Sequence, residues 1–128
     1  MSTPEAALRL EREQYLPGEQ LIGAFAFAFD GAPPEQCTVE LSVLWRTEGK
    51  GDKDLGVLLF REWVWNKTPF DFQRPEGFEV TLPRAPLSYA GVLVKIGWWV
   101  RVRLRYPPRG EQVTEVPFEL GPLRTVPS

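Results

Sequence analysis

The sequence predicts an all-β protein, an antiparallel sandwich of seven to eight short strands. Apolar and polar residues alternate in most segments, which is the period of a strand that buries one face. Turn-forming residues separate these segments, and the 128 residues include 13 prolines and 11 glycines. So many chain breakers count against long helices, and no segment has the period of an amphipathic helix.

The alternating segments follow one another at short intervals along the chain. In order, they are Ala7–Glu11, Leu21–Phe29, Thr38–Thr47, Leu55–Trp65, Phe78–Leu82, Leu93–Tyr106 and Gln112–Leu120. Glycine and proline lie between them, as in Pro17-Gly18 and Gly31–Pro34, and favour tight turns. Two facing antiparallel sheets explain this pattern best, because each sheet then buries one face and exposes the other.

The segment Leu21–Phe29 is apolar on both faces. One face carries Leu21, Gly23, Phe25, Phe27 and Phe29, and the other carries Ile22, Ala24, Ala26 and Ala28. We expect the larger set to face the core. The smaller set would leave an adhesive patch on a lone sandwich, so a homodimer is one expectation.

The segment Leu55–Trp65 has no cleanly apolar face. Val57 and Leu59 lie on one parity, while Leu58 and Phe60 lie on the other. A β-bulge, which adds one residue to a strand and changes its parity, explains such a pattern. The preceding residues Gly49–Asp54 are polar and glycine-containing, as expected of a solvated hairpin tip.

Length and composition indicate a single domain over residues 1–128, with a loose tail at 121–128. Hydrophobic residues make up 43% and charged residues 25%, which is typical of globular proteins. The N-terminus lacks the features of a signal peptide, and no apolar run approaches the roughly 20 residues of a membrane span. We therefore expect a cytoplasmic protein without membrane insertion. The net charge of −2 predicts no bulk attraction to nucleic acid.

The composition also argues against catalysis. The chain contains no histidine, which is the usual general base at neutral pH and a common zinc ligand. Carboxylates, lysine and tyrosine remain, but none lies in a catalytic or metal-ligand spacing. Cys37 is the only cysteine, so no internal disulfide can form, and we expect it to be a small core residue. The expectation is a protein without enzymatic activity, cofactor or metal.

Two stretches resemble arrestin-like domains. Residues 15–27, YLPGEQLIGAFAF, are similar to a Pro-Gly-Glu/Asp turn followed by an apolar strand with a glycine in it. Residues 78–104, FEVTLPRAPLSYAGVLVKIGWWVRVRL, are similar to a strand ending in Leu-Pro, a Pro-x-Ser-Tyr/Phe-x-Gly loop and a long alternating strand. Ser88, Tyr89 and Gly91 stand at the matching positions of that loop. Together the stretches cover roughly a third of the chain.

This resemblance implies an immunoglobulin-like β-sandwich that acts as a protein-interaction or scaffold module. Arrestins, the arrestin-like subunit of retromer and bacterial sporulation-control proteins have this kind of domain. Those relatives carry two sandwiches in tandem, whereas this chain has room for one. The buried charged cluster by which arrestins sense phosphate has no match here, although Arg9 and Arg12 lie near the first strand.

One face of the long strand carries the strongest candidate binding surface. Its residues are Lys95, Trp99, Arg101, Arg103 and Arg105, which share one parity and so lie on one side of the strand. Such a row could bind an acidic peptide, a phosphate or a single nucleic-acid strand. The alternative is that the cations pair across strands with Glu40, Glu48, Glu115 and Glu119, which is common on a solvated sheet. The overall acidic balance favours this alternative.

The five tryptophans suggest a second possible function, the binding of a small ligand or carbohydrate. Exposed indoles can stack on sugar rings, and Trp63, Trp65 or Trp99 would supply the platform. Trp45 and Trp98 share parity with core residues, so we expect them to be buried. Because large aromatic residues are common in cores and interfaces, a protein-interaction module is the preferred hypothesis. The sequence does not identify the protein partner.

Overall fold

A computed structural model of the chain describes residues 5–49, 53–91 and 94–121. These residues form nine strands: β1 (Glu5–Leu10), β2 (Gln14–Tyr15), β3 (Gln20–Ala28), β4 (Thr38–Gly49), β5 (Leu55–Val64), β6 (Glu76–Thr81), β7 (Tyr89–Ala90), β8 (Val94–Tyr106) and β9 (Gly110–Leu120). In this part of the chain, no helix has the length and apolar composition needed to cross a bilayer. The middle of the 49–54 loop and the tail beyond residue 121 lie outside the described residues.

The strands form two sheets that face each other. The smaller sheet has the order β1-β3-β6, and the larger has the order β2-β9-β8-β4-β5, with β7 also paired to β8. Apart from the short parallel pair β2–β9, the pairings are antiparallel. The predicted all-β sandwich is confirmed. The short strands β2 and β7 were not predicted, because two residues carry no detectable alternation.

The core lies between the two sheets and follows the predicted parity. Its most deeply buried side chains include Leu21, Phe25, Val39, Leu41, Val43, Trp98, Val100, Val102, Leu104 and Leu120. The β4–β8 pair forms the centre of the larger sheet and runs from Thr38 opposite Arg105 to Gly49 opposite Val94. Val94 shares the parity of these core residues but is 40% exposed, because it lies at the beginning of β8.

Gly23 is needed where the smaller sheet packs most closely. A Cβ at this position would lie 2.5 Å from the ring of Phe78 and 2.7 Å from the carbonyl oxygen of Arg9. Gly23 pairs with Leu10 on one side and with Phe78 on the other. The close approach of the neighbouring backbone therefore explains the glycine in the predicted apolar strand.

The Pro17-Gly18-Glu19 turn is attached to the end of β6. Gly18 has a φ of 86°, and its N–H donates to the Leu82 carbonyl at 2.9 Å. The Glu19 carboxylate accepts a hydrogen bond from the Leu16 N–H at 2.6 Å. That backbone hydrogen bond, together with Arg12, lowers the pKa of Glu19. The turn thus joins the start of β3 to the strand it pairs with.

The Arg84–Gly91 loop closes one end of the sandwich. The indole N–H of Trp98 donates to the Pro86 carbonyl at 2.7 Å. The Ser88 hydroxyl accepts a hydrogen bond from the Leu120 N–H at 2.8 Å, and the Ser88 N–H donates to the Leu120 carbonyl at 2.7 Å. These bonds connect the loop to β8 and to the end of β9, which gives Ser88 a structural role.

Cys37 lies in the core, as the sequence predicted. It is 6% exposed, and its Sγ donates to the Pro34 carbonyl at 2.9 Å. Burial raises the pKa of the thiol, which disfavours the reactive thiolate.

Candidate functional site

The outer face of β8 carries the five residues of the predicted binding row. Lys95, Trp99, Arg101, Arg103 and Arg105 alternate with Trp98, Val100, Val102 and Leu104, which are at most 1% exposed. The period-two prediction is therefore correct for this strand. Whether the row binds a partner stays a prediction.

The arginines of this row are paired with glutamates on the neighbouring strands. Arg101 contacts Glu115 at 2.7 Å and Arg105 contacts Glu40 at 2.7 Å. Arg103 contacts Glu111 at 3.0 Å and Glu40 at 3.6 Å. The cross-strand alternative accounts for Glu40 and Glu115, and it missed Glu111.

The other two expected glutamates have different neighbours. Glu48 pairs with Arg46 at 3.5 Å, and Glu119 accepts a hydrogen bond from Gln14 at 3.3 Å. Sequence parity locates a residue on a face, but the strand order decides which side chains meet. The arginines of this face consequently form a lattice of ion pairs and not a row of free cations.

Glu115 is the centre of this lattice. Its carboxylate contacts Arg46 at 3.0 Å and Arg101 at 2.7 Å, and its side chain is only 24% exposed. Burial acts to raise the pKa of Glu115, but the hydrogen bonds from Arg46 and Arg101 outweigh it and lower the pKa. The same contact with Glu115 raises the pKa of Arg46.

Trp99 lies flat against the sheet beside this carboxylate. The guanidinium of Arg46 lies 4.3 Å from the centre of the Trp99 ring, a cation–π contact. Gly97 leaves space for the indole, because a Cβ there would lie 3.0 Å from the Trp99 Nε1. That nitrogen is buried without a hydrogen-bond partner among the described residues. Trp99 is thus held between the guanidinium of Arg46 on β4 and the space left by Gly97 on its own strand.

An apolar band crosses the outer face at the level of Trp99. We use the name outer apolar band for Leu44, Leu55, Val57, Phe60, Trp99 and Pro117. Val57, Leu44, Trp99 and Pro117 are consecutive partners across β5, β4, β8 and β9. Leu44 is 2% exposed although it lies outside the main core cluster.

The exposed end of the outer apolar band lies on β5. Leu55, Val57 and Phe60 are 61%, 54% and 53% exposed, respectively. The predicted bulge is present in this strand: Val43 pairs with Leu59 and Leu44 pairs with Val57, so Leu58 is the extra residue. The bulge places Val57 and Phe60 on the same outer face although they are three residues apart. The amino-acid sequence did not predict this band, because its residues come from four strands and the bulge changes the parity within β5.

A groove of about 880 Å³ adjoins the outer apolar band. It lies where β9 ends its pairing with β8 and β7 takes its place on the same side of β8. Lys95 and Trp99 of the predicted row line it, together with Tyr89, Glu48 and Glu119. The groove therefore combines aromatic surface with charges of both signs.

The tryptophans do not form a common platform. Trp63 is 8% exposed and packs against Phe25 and Phe70 in the core, whereas Trp65 is 48% exposed. Trp98 is buried as predicted, while Trp45 is only partly buried against the core. Of the three indoles considered for carbohydrate stacking, Trp63 is buried in the core and Trp99 has Arg46 over its ring.

Comparison with known proteins supports the fold. Spo0M, the sporulation control protein of Bacillus subtilis, superposes with a TM-score of 0.64 at 15% sequence identity. The match covers 95% of this chain and 51% of the Spo0M chain, so this chain spans about half the length of its neighbour. The fold is arrestin-like.

The arrestin-like fold was the one implied by the two sequence stretches. No protein-family model matches the chain, and no curated protein matches it by sequence. At this level of identity, the arrestin-like similarity concerns the arrangement of strands and does not carry the activity or partners of Spo0M to this chain.

Proposed function

We propose that this chain is a cytoplasmic, non-catalytic interaction module that binds a protein partner through the outer apolar band. The observation that carries this proposal is the exposure of Leu55, Val57 and Phe60 beside the buried Leu44. Large apolar side chains gain about 25 cal/mol for each Å² of surface that a partner covers. Exposed apolar surface of this kind is typical of interaction sites.

The surroundings of the band also suit a protein partner. Trp99 belongs to the band and the arginines Arg46 and Arg101 lie beside it, and tryptophan and arginine are among the residues most often found at energetic hot spots of interfaces. Their glutamate partners neutralise the arginines, so the surface offers packing and geometry rather than net charge. This favours an apolar protein surface over nucleic acid or phosphate as the ligand.

The arrestin-like fold supports the same class of function. Spo0M is described as a sporulation control protein, which is a regulatory role for that protein. A regulatory binding role for this chain extends that description by analogy. The absence of histidine from the sequence favours binding over general acid–base catalysis.

Affinity capture with matched variants tests this function. We would immobilise the wild-type chain, Phe60→Asp and Val113→Asp and expose each to lysate of the native cells. Val113 is a fair control because it is 44% exposed on the outer face of β9, opposite Arg103 and away from the band. We expect specific proteins to be retained by the wild type and Val113→Asp and lost with Phe60→Asp.

Two outcomes would argue against the proposal. Equal retention by all three proteins would show that the outer apolar band is not the binding surface. Turnover in a broad hydrolase screen with the purified chain would contradict the non-catalytic assignment. Circular dichroism of each variant checks that the β-sandwich has been kept.

A further inference from the structure

The free edge of β5 differs from the other sheet edges among the described residues. β1 and β6, at the edges of the smaller sheet, have only six residues each. β9, which pairs with β2 only at Glu119 and Leu120, carries Pro117 and several glutamates. β5 has ten residues, without lysine or proline.

An exposed edge strand of this length is normally either protected against pairing with other chains or paired with a partner strand. Unpaired backbone N–H and C=O groups in a long apolar strand are a template for another strand, and proteins usually block them with short strands, charges or proline. β9 has charges and a proline, whereas β5 has the bulge at Leu58 and the adjacent pair Arg61 and Glu62, and its residues from Leu59 onward pair regularly with β4. The Val64 carbonyl already accepts hydrogen bonds from the Lys67 and Thr68 N–H groups at 2.9 Å, so the stretch of edge open for pairing runs from Leu59 to Trp63.

We propose that the strand added to β5 is the β5 strand of a second copy of this chain. This inference rests on the proposed function and names a partner for the β5 edge that borders the outer apolar band. The two strands run antiparallel about a two-fold axis near Phe60, so that Leu59–Arg61 of the two copies pair regularly and Glu62 of each copy lies opposite the bulge residue Leu58 of the other. The larger sheets then join into one. An isologous contact of this kind needs a self-complementary surface, in which a patch meets its own copy.

The charges of β5 favour a copy of the same strand. Arg61 and Glu62 are its only charged residues, so the strand is neutral overall. Arg61 is already paired with Glu76 of the smaller sheet at 3.1 Å. An acidic peptide would therefore gain no attraction from Arg61, and the net charge of −2 gives only weak repulsion between two whole copies.

The apolar residues of β5 are arranged to benefit from this pairing. Phe60 lies near the axis, where the two aromatic rings would cover each other and withdraw surface that is 53% exposed. A two-fold axis perpendicular to the sheet keeps both outer faces on the same side. The two outer apolar bands then form one continuous surface, twice as long as either alone.

Sedimentation velocity with a charged variant tests this pairing. We would measure the wild type, Phe60→Lys and Val113→Lys from low to high micromolar concentration. A lysine at Phe60 places two like charges together at the axis, so dimer affinity should fall by at least about tenfold. Val113→Lys introduces the same change on β9 and should retain the wild-type affinity.

Disulfide cross-linking locates the contact independently of stability. Cα atoms of directly opposed antiparallel residues are about 4.5–5.5 Å apart, which is within the range that a disulfide spans. Phe60→Cys under a mild thiol oxidant such as diamide should give a covalent dimer, with each pair of thiols losing two electrons and two protons to the oxidant. Val113→Cys and the wild type, whose Cys37 is buried, should remain monomeric on a denaturing gel.

Each outcome decides the inference separately from the proposed function. A wild type that stays monomeric at high micromolar concentration overturns the β5 pairing, while loss of captured proteins with Phe60→Asp would still support the binding function. A dimer that survives Phe60→Lys, or that cross-links equally through Val113→Cys, places the contact elsewhere and also overturns it. A concentration-dependent dimer lost only with Phe60→Lys supports it.

Discussion

Glu115 shows how single residues organise the outer face of the larger sheet. Its carboxylate is held by Arg46 and Arg101, and Arg46 also lies over the ring of Trp99. One partly buried carboxylate therefore links β4, β8 and β9 and keeps the indole in place. Hydrogen bonds to charged groups are worth more than neutral ones, about 1.5–3 kcal/mol each when partly buried.

Replacing Glu115 by glutamine should make stability depend less on pH. Because the folded-state pKa lies below the ordinary value of 4.5, the ionised carboxylate stabilises the fold above that value. This contribution is lost as the pH falls through the folded-state pKa. We expect Glu115→Gln to lose about 1–2 kcal/mol of unfolding free energy at neutral pH and progressively less as the pH falls.

Urea unfolding of both proteins at neutral and acidic pH checks this expectation. Glu111→Gln is the control, since Glu111 contacts one arginine instead of two and is 48% exposed. Glu111→Gln should lose less unfolding free energy at neutral pH than Glu115→Gln does. If Glu115→Gln lost the same amount of unfolding free energy at both pH values, the stabilisation would not come from the ionised carboxylate.

At the scale of the element, the bulge in β5 decides which side chains reach the surface. Leu58 is the extra residue, and the pairs Val43–Leu59 and Leu44–Val57 lie on either side of it. Without the bulge, a strand that placed Leu59 inward would also place Val57 inward. The extra residue lets Val57 face outward while Leu59 packs against the core.

Deleting Leu58 should remove the bulge and leave the register of its neighbours intact. The remaining residues can then alternate regularly, so the loss should be limited to the partly buried leucine, about 1–2 kcal/mol. Deleting Glu62, in the regular part of the strand, is the matched control. The Glu62 deletion shifts the residues on one side of position 62 to the opposite face of the strand. Either Trp63 would leave the core or Phe60 would turn into it, so we expect the domain to unfold.

Near-ultraviolet circular dichroism and urea denaturation distinguish these two deletions. The Leu58 deletion should keep a native aromatic spectrum and a cooperative transition. If both deletions abolished the native aromatic spectrum and the cooperative transition, Leu58 would not be the extra residue that the pairing of β4 with β5 indicates.

At the scale of the whole molecule, an aromatic cluster joins the two sheets. Phe25 on β3 is 1% exposed and contacts Trp63 on β5, with ring centres 6.0 Å apart. Phe70, from the loop between β5 and β6, lies 5.4 Å from Phe25 and 5.3 Å from Trp63. The cluster therefore couples the smaller sheet, the larger sheet and the proline-containing loop.

Phe25→Ala should be among the most destabilising substitutions. Removing a buried phenylalanine leaves a cavity between the sheets and typically costs about 3–5 kcal/mol. Phe29→Ala is the control, since Phe29 lies at the rim of the same cluster, contacts Phe27 and Phe72, and is partly exposed. We expect a smaller loss, about 1–2 kcal/mol, in urea unfolding. Equal losses would mean that the cluster is not the main contact between the sheets.

Sequence reasoning located most strands because alternation records burial directly. In β3 and β8 the buried and exposed residues fall on the predicted faces, since each strand has the core on one side. The bulge was predicted from the mixed parity of the β5 segment. The strands β2 and β7 were missed because a pairing of two residues depends on what lies beside it and not on its own sequence.

The candidate surface was only partly predictable. Arg101, Arg103 and Arg105 share a face, as their spacing indicated, but their charge is neutralised by glutamates from two other strands. The outer apolar band was not predicted, because its residues come from four strands. The apolar face of β3 drew attention first, although its side chains are small and the larger exposed residues lie on β5.

The amino-acid order alone determined the all-β class, the two faces of the long strands and the burial of Cys37. These properties depend on the alternation of side chains along one strand and on its preference for a buried face. The tertiary structure decided the strand order, the partners of each arginine and the exposed edge at β5. Those properties depend on which strands lie side by side, and residues far apart in the sequence become neighbours only when the sheets have formed.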